Sequence, residues 1–298
     1  MSTAPRIVVT GANGLVGSHV CKALAERGAR VRAVVRREGA APELPGVEEV
    51  VGEFHDPATA ARICEGAAAV VQTVHPMRDD HLQTASVGWS AQLATAARDA
   101  GVARYVHVST TSVYEREEST GDVDEHSKLV DDDARDYAVT KRDTDDAVRA
   151  VDGITRILVH PTAILGPGEW SVWNVRRPQA IRDEASARRD DPDRTFGWVH
   201  VDDLAALIAD LATGRIPTAD DPDQGPVEGS ATSVNAVAGN VPYREYLAPV
   251  AAAMGVEPEW ERRPAFRAKL LANRARTWGW EPTVTFEAAM QELLDGLR

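Results

Sequence analysis

The chain has 298 residues, 43% of them hydrophobic and 27% charged, with a formal net charge of -13. That size and apolar content suit one large domain, or a domain with a smaller lobe. The acidic balance, with neither a basic stripe nor a basic tail, argues against a nucleic-acid or anionic-membrane partner. No apolar run reaches the roughly 18 residues of a membrane helix, and no signal-peptide pattern opens the chain, so the expected location is cytoplasmic.

Ile7-Val8-Val9-Thr10 is a β-branched run ending in a glycine turn. Leu15 to Arg27 has helical spacing and stops at Gly28, and Val31 to Val35 is the next strand. Val50-Val51, Val70-Val71 and Tyr105 to Val108 supply three more strand-like runs, with Ala58 to Cys64 and Thr84 to Ala100 helical between them. Ile154 to Val159 is a sixth strand. Strands and helices in strict alternation predict an α/β fold with right-handed crossovers and a parallel, doubly wound sheet. Cys21 and Cys64 fall in the helical segments and read as buried thiols, since their spacing suits neither a disulfide framework nor a metal. The acidic stretch Glu115 to Asp136, with Asp131-Asp132-Asp133, reads as a solvated loop; the alternative is a mobile flap beside the site.

Doubly wound sheets bind ligands beyond the carboxyl ends of their strands, where the strand order switches. Three candidate sites, at Gly11, Arg36 and Thr110, follow strands directly. The first is Thr10-Gly11-Ala12-Asn13-Gly14-Leu15-Val16-Gly17, between a strand and a helix. Gly11, Gly14 and Gly17 permit a tight turn, and the backbone of Asn13, Leu15 and Val16 is then open to a pyrophosphate at a helix N-terminus. That context marks a dinucleotide loop, and the absence of Gly-Lys-[Ser/Thr] excludes a Walker A loop. The second strand ends in Arg36-Arg37, where NAD sites usually carry an acid for the ribose hydroxyls; two arginines favour the 2′-phosphate of NADP.

Tyr137 and Lys141 stand four residues apart, on one face of a helix. A cation beside a phenol favours the phenolate, which predicts a Tyr137 pKa below its usual value of about 10 and a group able to move a proton near neutral pH.

With these motifs the chain resembles an extended short-chain dehydrogenase/reductase over nearly its whole length. Thr10-Gly11-x-x-Gly14-x-x-Gly17 matches that family's cofactor motif, and Tyr137 with Lys141 matches its catalytic Tyr-x-x-x-Lys. Val108 to Tyr114 resembles the segment after strand five; Thr110 corresponds to the residue that polarises the substrate carbonyl, with Ser112 in reserve. Glu53-Phe54 resembles the segment that contacts adenine, and Pro161 to Gly168, including Ile164, the turn past the nicotinamide. Trp198 to Asp203 and Trp278 to Pro282 resemble late family motifs. The chain departs from the pattern at His160, where an Arg commonly precedes the Pro, at Gln72-Thr73-Val74-His75, and in a short stretch between Gly168 and Trp198.

The resemblance implies a Rossmann domain over 1–167 and about 198–239, with a substrate lobe over about 168–197 and 240–298. It implies NADP(H) as cofactor, Tyr137 as acid/base, Thr110 as hydrogen-bond donor to the substrate oxygen, and Lys141 tuning Tyr137 and holding the nicotinamide ribose. Members often pair as homodimers through helices at positions like 84–100 and 137–150.

Trp170, Trp173 and Trp198 would line a pocket for a bulky or apolar carbonyl substrate, or else pack the lobe; Trp260, Trp278 and Trp280 read as core. His75 would line the pocket near the nicotinamide, and Arg176-Arg177 reads as a solvated pair. His75, Asp79, Asp80 and His81 lack regular ligand spacing, so no metal is expected. The favoured activity is NADPH-dependent reduction of a ketone, or the reverse. The alternatives are a nucleotide-sugar epimerase, dehydratase or 4-ketoreductase, and an NADP-binding sensor without chemistry.

Overall fold

The computed structural model describes residues 4–75 and 80–298, the side chains of residues 80–85 excepted. In chain order the first half comprises β1 (Arg6–Thr10), α1 (Leu15–Glu26), β2 (Arg30–Val35), β3 (Val47–Val51), α2 (Pro57–Cys64), β4 (Ala69–Gln72), α3 (Asp80–Asp99), β5 (Arg104–Val108), α4 (Asp136–Arg149), β6 (Thr155–Pro161) and β7 (Ala163–Leu165). The second half comprises α5 (Arg177–Asp183), α6 (Ala185–Arg188), β8 (Arg189–Asp190), β9 (Thr195–His200), α7 (Val201–Thr213), β10 (Ala231–Ala236), β11 (Gly239–Pro242), α8 (Arg244–Ala253), β12 (Glu259–Trp260), α9 (Asn273–Thr277) and α10 (Phe286–Gly296).

The α/β expectation holds. Seven strands form one sheet in the order β10-β6-β5-β4-β1-β2-β3, and every pairing in it is parallel. The order reverses between β1 and β4, so the crevice for a ligand opens there. Both faces are buried, as a parallel sheet requires. Ile7 and Val9 point to one face with Val20 and Leu24 of α1 and Leu204, Leu207 and Leu211 of α7. Val8, one residue out of phase, packs with Ile63 of α2, Leu93 and Ala97 of α3 and Val148 of α4. A fully buried Leu or Ile contributes roughly 1.5–3 kcal/mol, several times a surface ion pair at about 0–1 kcal/mol. These two layers, not the surface charges, therefore fix where the strand ends lie. Cys21 and Cys64 sit in them as buried free thiols.

The seventh strand, β10, is missing from the sequence reading because Ala231-Thr-Ser-Val-Asn-Ala236 carries no apolar run. Its polar side chains are buried, and each makes a hydrogen bond, although Asn235 Oδ1 has no partner among the described residues. Thr232 Oγ1 accepts from Val227 N at 3.0 Å, Ser233 Oγ from Arg149 Nη2 at 2.5 Å, and Asn235 Nδ2 donates to Leu271 O at 3.1 Å.

A second sheet, β11-β9-β7, and the β12-β8 pair lie outside the main sheet. A third core gathers Leu165, Ile181, Phe196, Trp198, Tyr243, Tyr246 and Leu293. Of the tryptophans, Trp260 alone departs from expectation; for Trp173 and Trp198 the packing alternative applies. Trp198 is 4% exposed and packs on Phe286, which leaves it almost no face for a substrate. Trp173 sits edge-on to Phe196 and Tyr246, also as packing. Trp260 is exposed on a two-residue strand rather than in the core, whereas Trp278 and Trp280 are buried under the main sheet.

The acidic stretch is the mostly exposed, irregular loop expected, with Asp131-Asp132-Asp133 all exposed, and it is tethered at several points. Val123 is buried and exchanges backbone hydrogen bonds with Lys269 and Leu271, both at 2.8 Å. Lys128 pairs with Glu115 and Asp131, and Arg142 with Asp132.

Gly17 opens α1 against the β1 loop so closely that a Cβ would fall 2.1 Å from Gly11 O. Gly17→Ala forces backbone apart and is expected to lower stability by about 2–4 kcal/mol, read as a drop in urea midpoint; an unchanged midpoint would contradict this packing.

Candidate functional site

The glycine loop leaves β1 at Thr10, and its conformation needs its glycines. Gly11 has φ +69°, and a Cβ there would lie 2.8 Å from Thr73 Oγ1, which itself donates to Thr10 O at 2.7 Å. Gly14 caps α1 without a side-chain hydrogen bond, so the N–H groups of Leu15, Val16 and Gly17 keep no side-chain acceptor. Leu15 and Val16 are half-buried and Asn13 is exposed. A narrow glycine cradle over an uncapped helix N-terminus fits the pyrophosphate of a dinucleotide.

Arg36 and Arg37 lie exposed just past β2. Glu49 of β3 accepts from Gly39 N and Ala41 N, at 2.9 and 2.8 Å, and so shapes the loop they begin. Glu53 is exposed beside His55, while the Phe54 ring is buried edge-on to Trp89. Packing claims the Phe54 ring and leaves its backbone nearer the loop.

The other cluster forms where β4, β5 and α4 meet. Thr110, just after β5, accepts from Ser112 N at 3.1 Å and has its hydroxyl 3.2 Å from Ser112 Oγ. The same hydroxyl lies near enough to the Tyr137 phenol to favour its ionised form. His75, after β4, faces the Tyr137 ring edge-on, with centroids 5.2 Å apart. Lys141, one helical turn on, is 3% exposed and donates to Val108 O at 3.2 Å. Arg116 Nη2 donates to Ser112 Oγ at 3.3 Å.

The protonation equilibria correct one expectation. The Tyr137 pKa is raised, not lowered: burial dominates and the Asp145 charge adds to it, against the Thr110 hydrogen bond and the Arg116 charge. Lys141 makes its hydrogen bond to backbone instead. Its own ammonium is pushed down to about 8 by burial, which Asp145 opposes. Burial, with the charges of Lys141 and His107, takes His75 down to about 3, and its Nε2 has no hydrogen-bond partner.

Behind Lys141 lies a polar knot that the sequence reading missed. The Asp145 carboxylate accepts from Ser109 Oγ at 2.9 Å and lies 3.0 Å from His160 Nε2 and 3.6 Å from His107 Nε2. The other nitrogen of His160 pairs with the Tyr114 hydroxyl at 2.8 Å. Every member is nearly or fully buried. Burial pushes the Asp145 carboxyl up, yet His160, His107 and Ser109 bring it net below the ordinary range. The signal in the sequence was Asp145 itself, one further turn beyond Lys141 on the same helix face.

Pro161 ends β6 and Ile164 lies half-buried on β7. Trp170 is the exposed member of its trio, with the Arg176 guanidinium 5.8 Å from its ring. Arg177 is no solvated partner of Arg176, since its guanidinium donates to Tyr243 Oη and Ala187 O. Among the described residues no group of His, Cys, Asp or Glu suits a metal ion. Asp79, and the side chains of Asp80 and His81, lie outside the described residues. Among the described residues no helix is long and apolar enough to cross a membrane.

Residues 7–215 match the model of the NAD dependent epimerase/dehydratase family. The ceramide reductase of Caulobacter vibrioides is 33% identical over 169 residues, 55% of this chain and 47% of that protein. The 4-hydroxy-2-methyl-3-oxo-4-farnesyl-3,4-dihydroquinoline-1-oxide ketoreductase of Stigmatella aurantiaca is 32% identical over 54% of this chain and 51% of its own. The 2-alkyl-3-oxoalkanoate reductase of Stenotrophomonas maltophilia is 29% identical over 55% and 52%. The matched stretch thus spans about half the length of these curated relatives. Among solved structures, the Bordetella bronchiseptica enzyme WbmG in complex with NAD superposes with a TM-score of 0.75 over 99% of this chain and 94% of that one, at 18% identity, a likeness of fold.

The two low imidazole pKa values set an acid sensitivity. His75 and His107 titrate near 3 when folded, against about 6.5 in an unfolded chain. As pH falls below about 6.5 the unfolded state binds protons that the folded state refuses, so stability falls. The urea midpoint is expected to drop between pH 7 and pH 5, and His107→Gln to flatten that slope; equal midpoints at both pH values would contradict it.

Proposed function

The chain belongs to the NAD dependent epimerase/dehydratase family, and from that premise we propose that it is an NADP(H)-dependent oxidoreductase that reduces a ketone to an alcohol, or runs the reverse. The observation carrying this reading is the meeting of Thr110, Tyr137 and Lys141 at the carboxyl end of β5, at the same end of the sheet as the glycine loop. The bound nicotinamide supplies or accepts the hydride.

Everything else falls to this chain's residues. The N–H groups of Leu15 to Gly17 hold the pyrophosphate, and Arg36 with Arg37 meets the 2′-phosphate through planar guanidinium forks. Thr110 donates to the substrate carbonyl oxygen, and Tyr137 gives that oxygen its proton. His75 does not compete for that role, because an imidazole with a pKa of about 3 holds no acidic proton at neutral pH. Lys141, with a pKa of about 8, is still largely charged at neutral pH and stabilises the phenolate as it forms. Asp145 keeps that charge from being lost to burial.

The ketone class is supported by the reductase and ketoreductase names of the curated relatives. The second reading, a nucleotide-sugar epimerase or dehydratase, draws on the family's name. It predicts a tightly held NAD returned unchanged after each turnover, whereas net consumption of NADPH identifies a reductase.

Tyr137→Phe removes the proton donor and is expected to cut turnover roughly 100- to 10,000-fold while NADPH still binds, as followed by its fluorescence; near-normal turnover would overturn the assignment. Arg36→Ala is expected to weaken NADPH about tenfold or more through loss of a charged hydrogen bond, with little change for NADH. Equal losses for both cofactors, measured by titration, would count against NADP.

A further inference from the structure

Among the described residues, one guanidinium beside the candidate catalytic hydroxyls, that of Arg116, has no carboxylate partner. Arg116 is flanked in sequence by Glu115, Glu117 and Glu118. Glu115 is taken by Lys128 at 2.6 Å and Glu118 by Arg267 at 3.1 Å. Arg116 turns away from these and donates to Ser112 Oγ, whose other neighbour is the Thr110 hydroxyl. A guanidinium offers five N–H donors in a planar fork suited to a carboxylate, and a serine oxygen uses only one of them. Arg135 and Arg194 lie close enough to add positive potential at Arg116. Arg194 is itself held by Asp190 and stacked on Tyr243, so it adds field without reaching out. Arg116 also lines an open recess of about 550 Å³ with Glu117, Glu118, Ser119, Pro264 and Ala265. In a chain of net charge -13 with acids on both sides, a guanidinium left open here is a local inversion of charge at the substrate end of the site.

We propose that Arg116 is the anion-recognising residue of the substrate site and that the substrate is a 3-oxo acid, a ketone with one carbon between its carbonyl and its carboxylate. The inference rests on the ketone-reducing reading above. The spacing decides the class. The carbonyl oxygen lies at Thr110 and Tyr137, and the guanidinium is only one hydroxyl, that of Ser112, farther on. A carboxylate one carbon from the carbonyl reaches it, while an anion at the far end of a long substrate does not.

The test compares 3-oxooctanoate, its methyl ester and 2-oxoheptylphosphonate on the full chain with NADPH. The acid should exceed the ester in kcat/KM by roughly ten- to a hundredfold, the size expected of a charge-assisted bidentate contact, chiefly through KM. In Arg116→Met that ratio should fall to about one, and Arg116→Lys should restore part of it. A ratio near one in the unmodified protein, or a ratio unchanged by Arg116→Met, overturns the proposal. An Arg116-dependent preference for the phosphonate over the carboxylate overturns the carboxylic-acid assignment. If none of the three ketones is reduced, the reductase reading fails separately. Calorimetric binding of 3-hydroxyoctanoate against its methyl ester then judges Arg116 alone: an acid preference lost in Arg116→Met upholds the anion site, and equal binding overturns it.

Discussion

The Asp145 carboxylate is the charge on which the candidate site depends. An ammonium as buried as Lys141 is stable in its charged form only with a compensating charge nearby, because desolvation otherwise drives it to the neutral amine. Asp145 supplies that charge from the next turn of α4, and pays for its own burial with hydrogen bonds from Ser109 and the contact with His160. The knot also ties α4 to the ends of β5 and β6, the strands that carry Thr110 and Pro161. Charge balance and position are therefore one constraint. A Lys141 that kept its geometry without its proton would offer Tyr137 no electrostatic help.

The second constraint is the switch in strand order. Because β1 and β4 are neighbours whose connections run to opposite sides, the loops after them diverge and leave a crevice. Thr73 bridges the gap at its base through its bond to Thr10 O, and the same loop carries His75 to the Tyr137 ring. The glycine cradle and the Thr110–Tyr137 pair, more than ninety residues apart in sequence, thus share the carboxyl ends of one sheet. A dinucleotide held at the first would extend toward the second.

The parts of this arrangement legible in the sequence were those encoded locally. A β-branched run before a glycine turn, a Tyr and a Lys one turn apart, and strands of Val and Ile each state their structure within a few residues. The illegible parts were collective. β10 hides because its buried Thr, Ser and Asn are hydrogen-bonded to residues from Arg149 to Leu271, far apart in sequence. Trp198 belongs to the third core, where Phe286, some ninety positions away, packs on its ring. The direction of the Tyr137 shift was misread for a related reason: helical spacing showed that a cation stood nearby, but not that burial would outweigh it.

That raised pKa sharpens the proposed chemistry. A phenol held above its ordinary value stays protonated through neutral pH, the form needed to donate to a ketone oxygen, while deprotonating an alcohol needs the phenolate. In the reducing direction burial therefore keeps the acid loaded, and the cost appears only as negative charge develops on Tyr137. The neighbouring Arg116 charge, and in the proposed scheme that of Lys141, are then worth most, since both are fixed in place before the proton moves. An anionic substrate drawn to Arg116 would partly cancel that guanidinium's field at the phenol. Lys141 would then be left as the main stabiliser of the phenolate, against the Asp145 charge, which keeps Lys141 charged but itself opposes the phenolate.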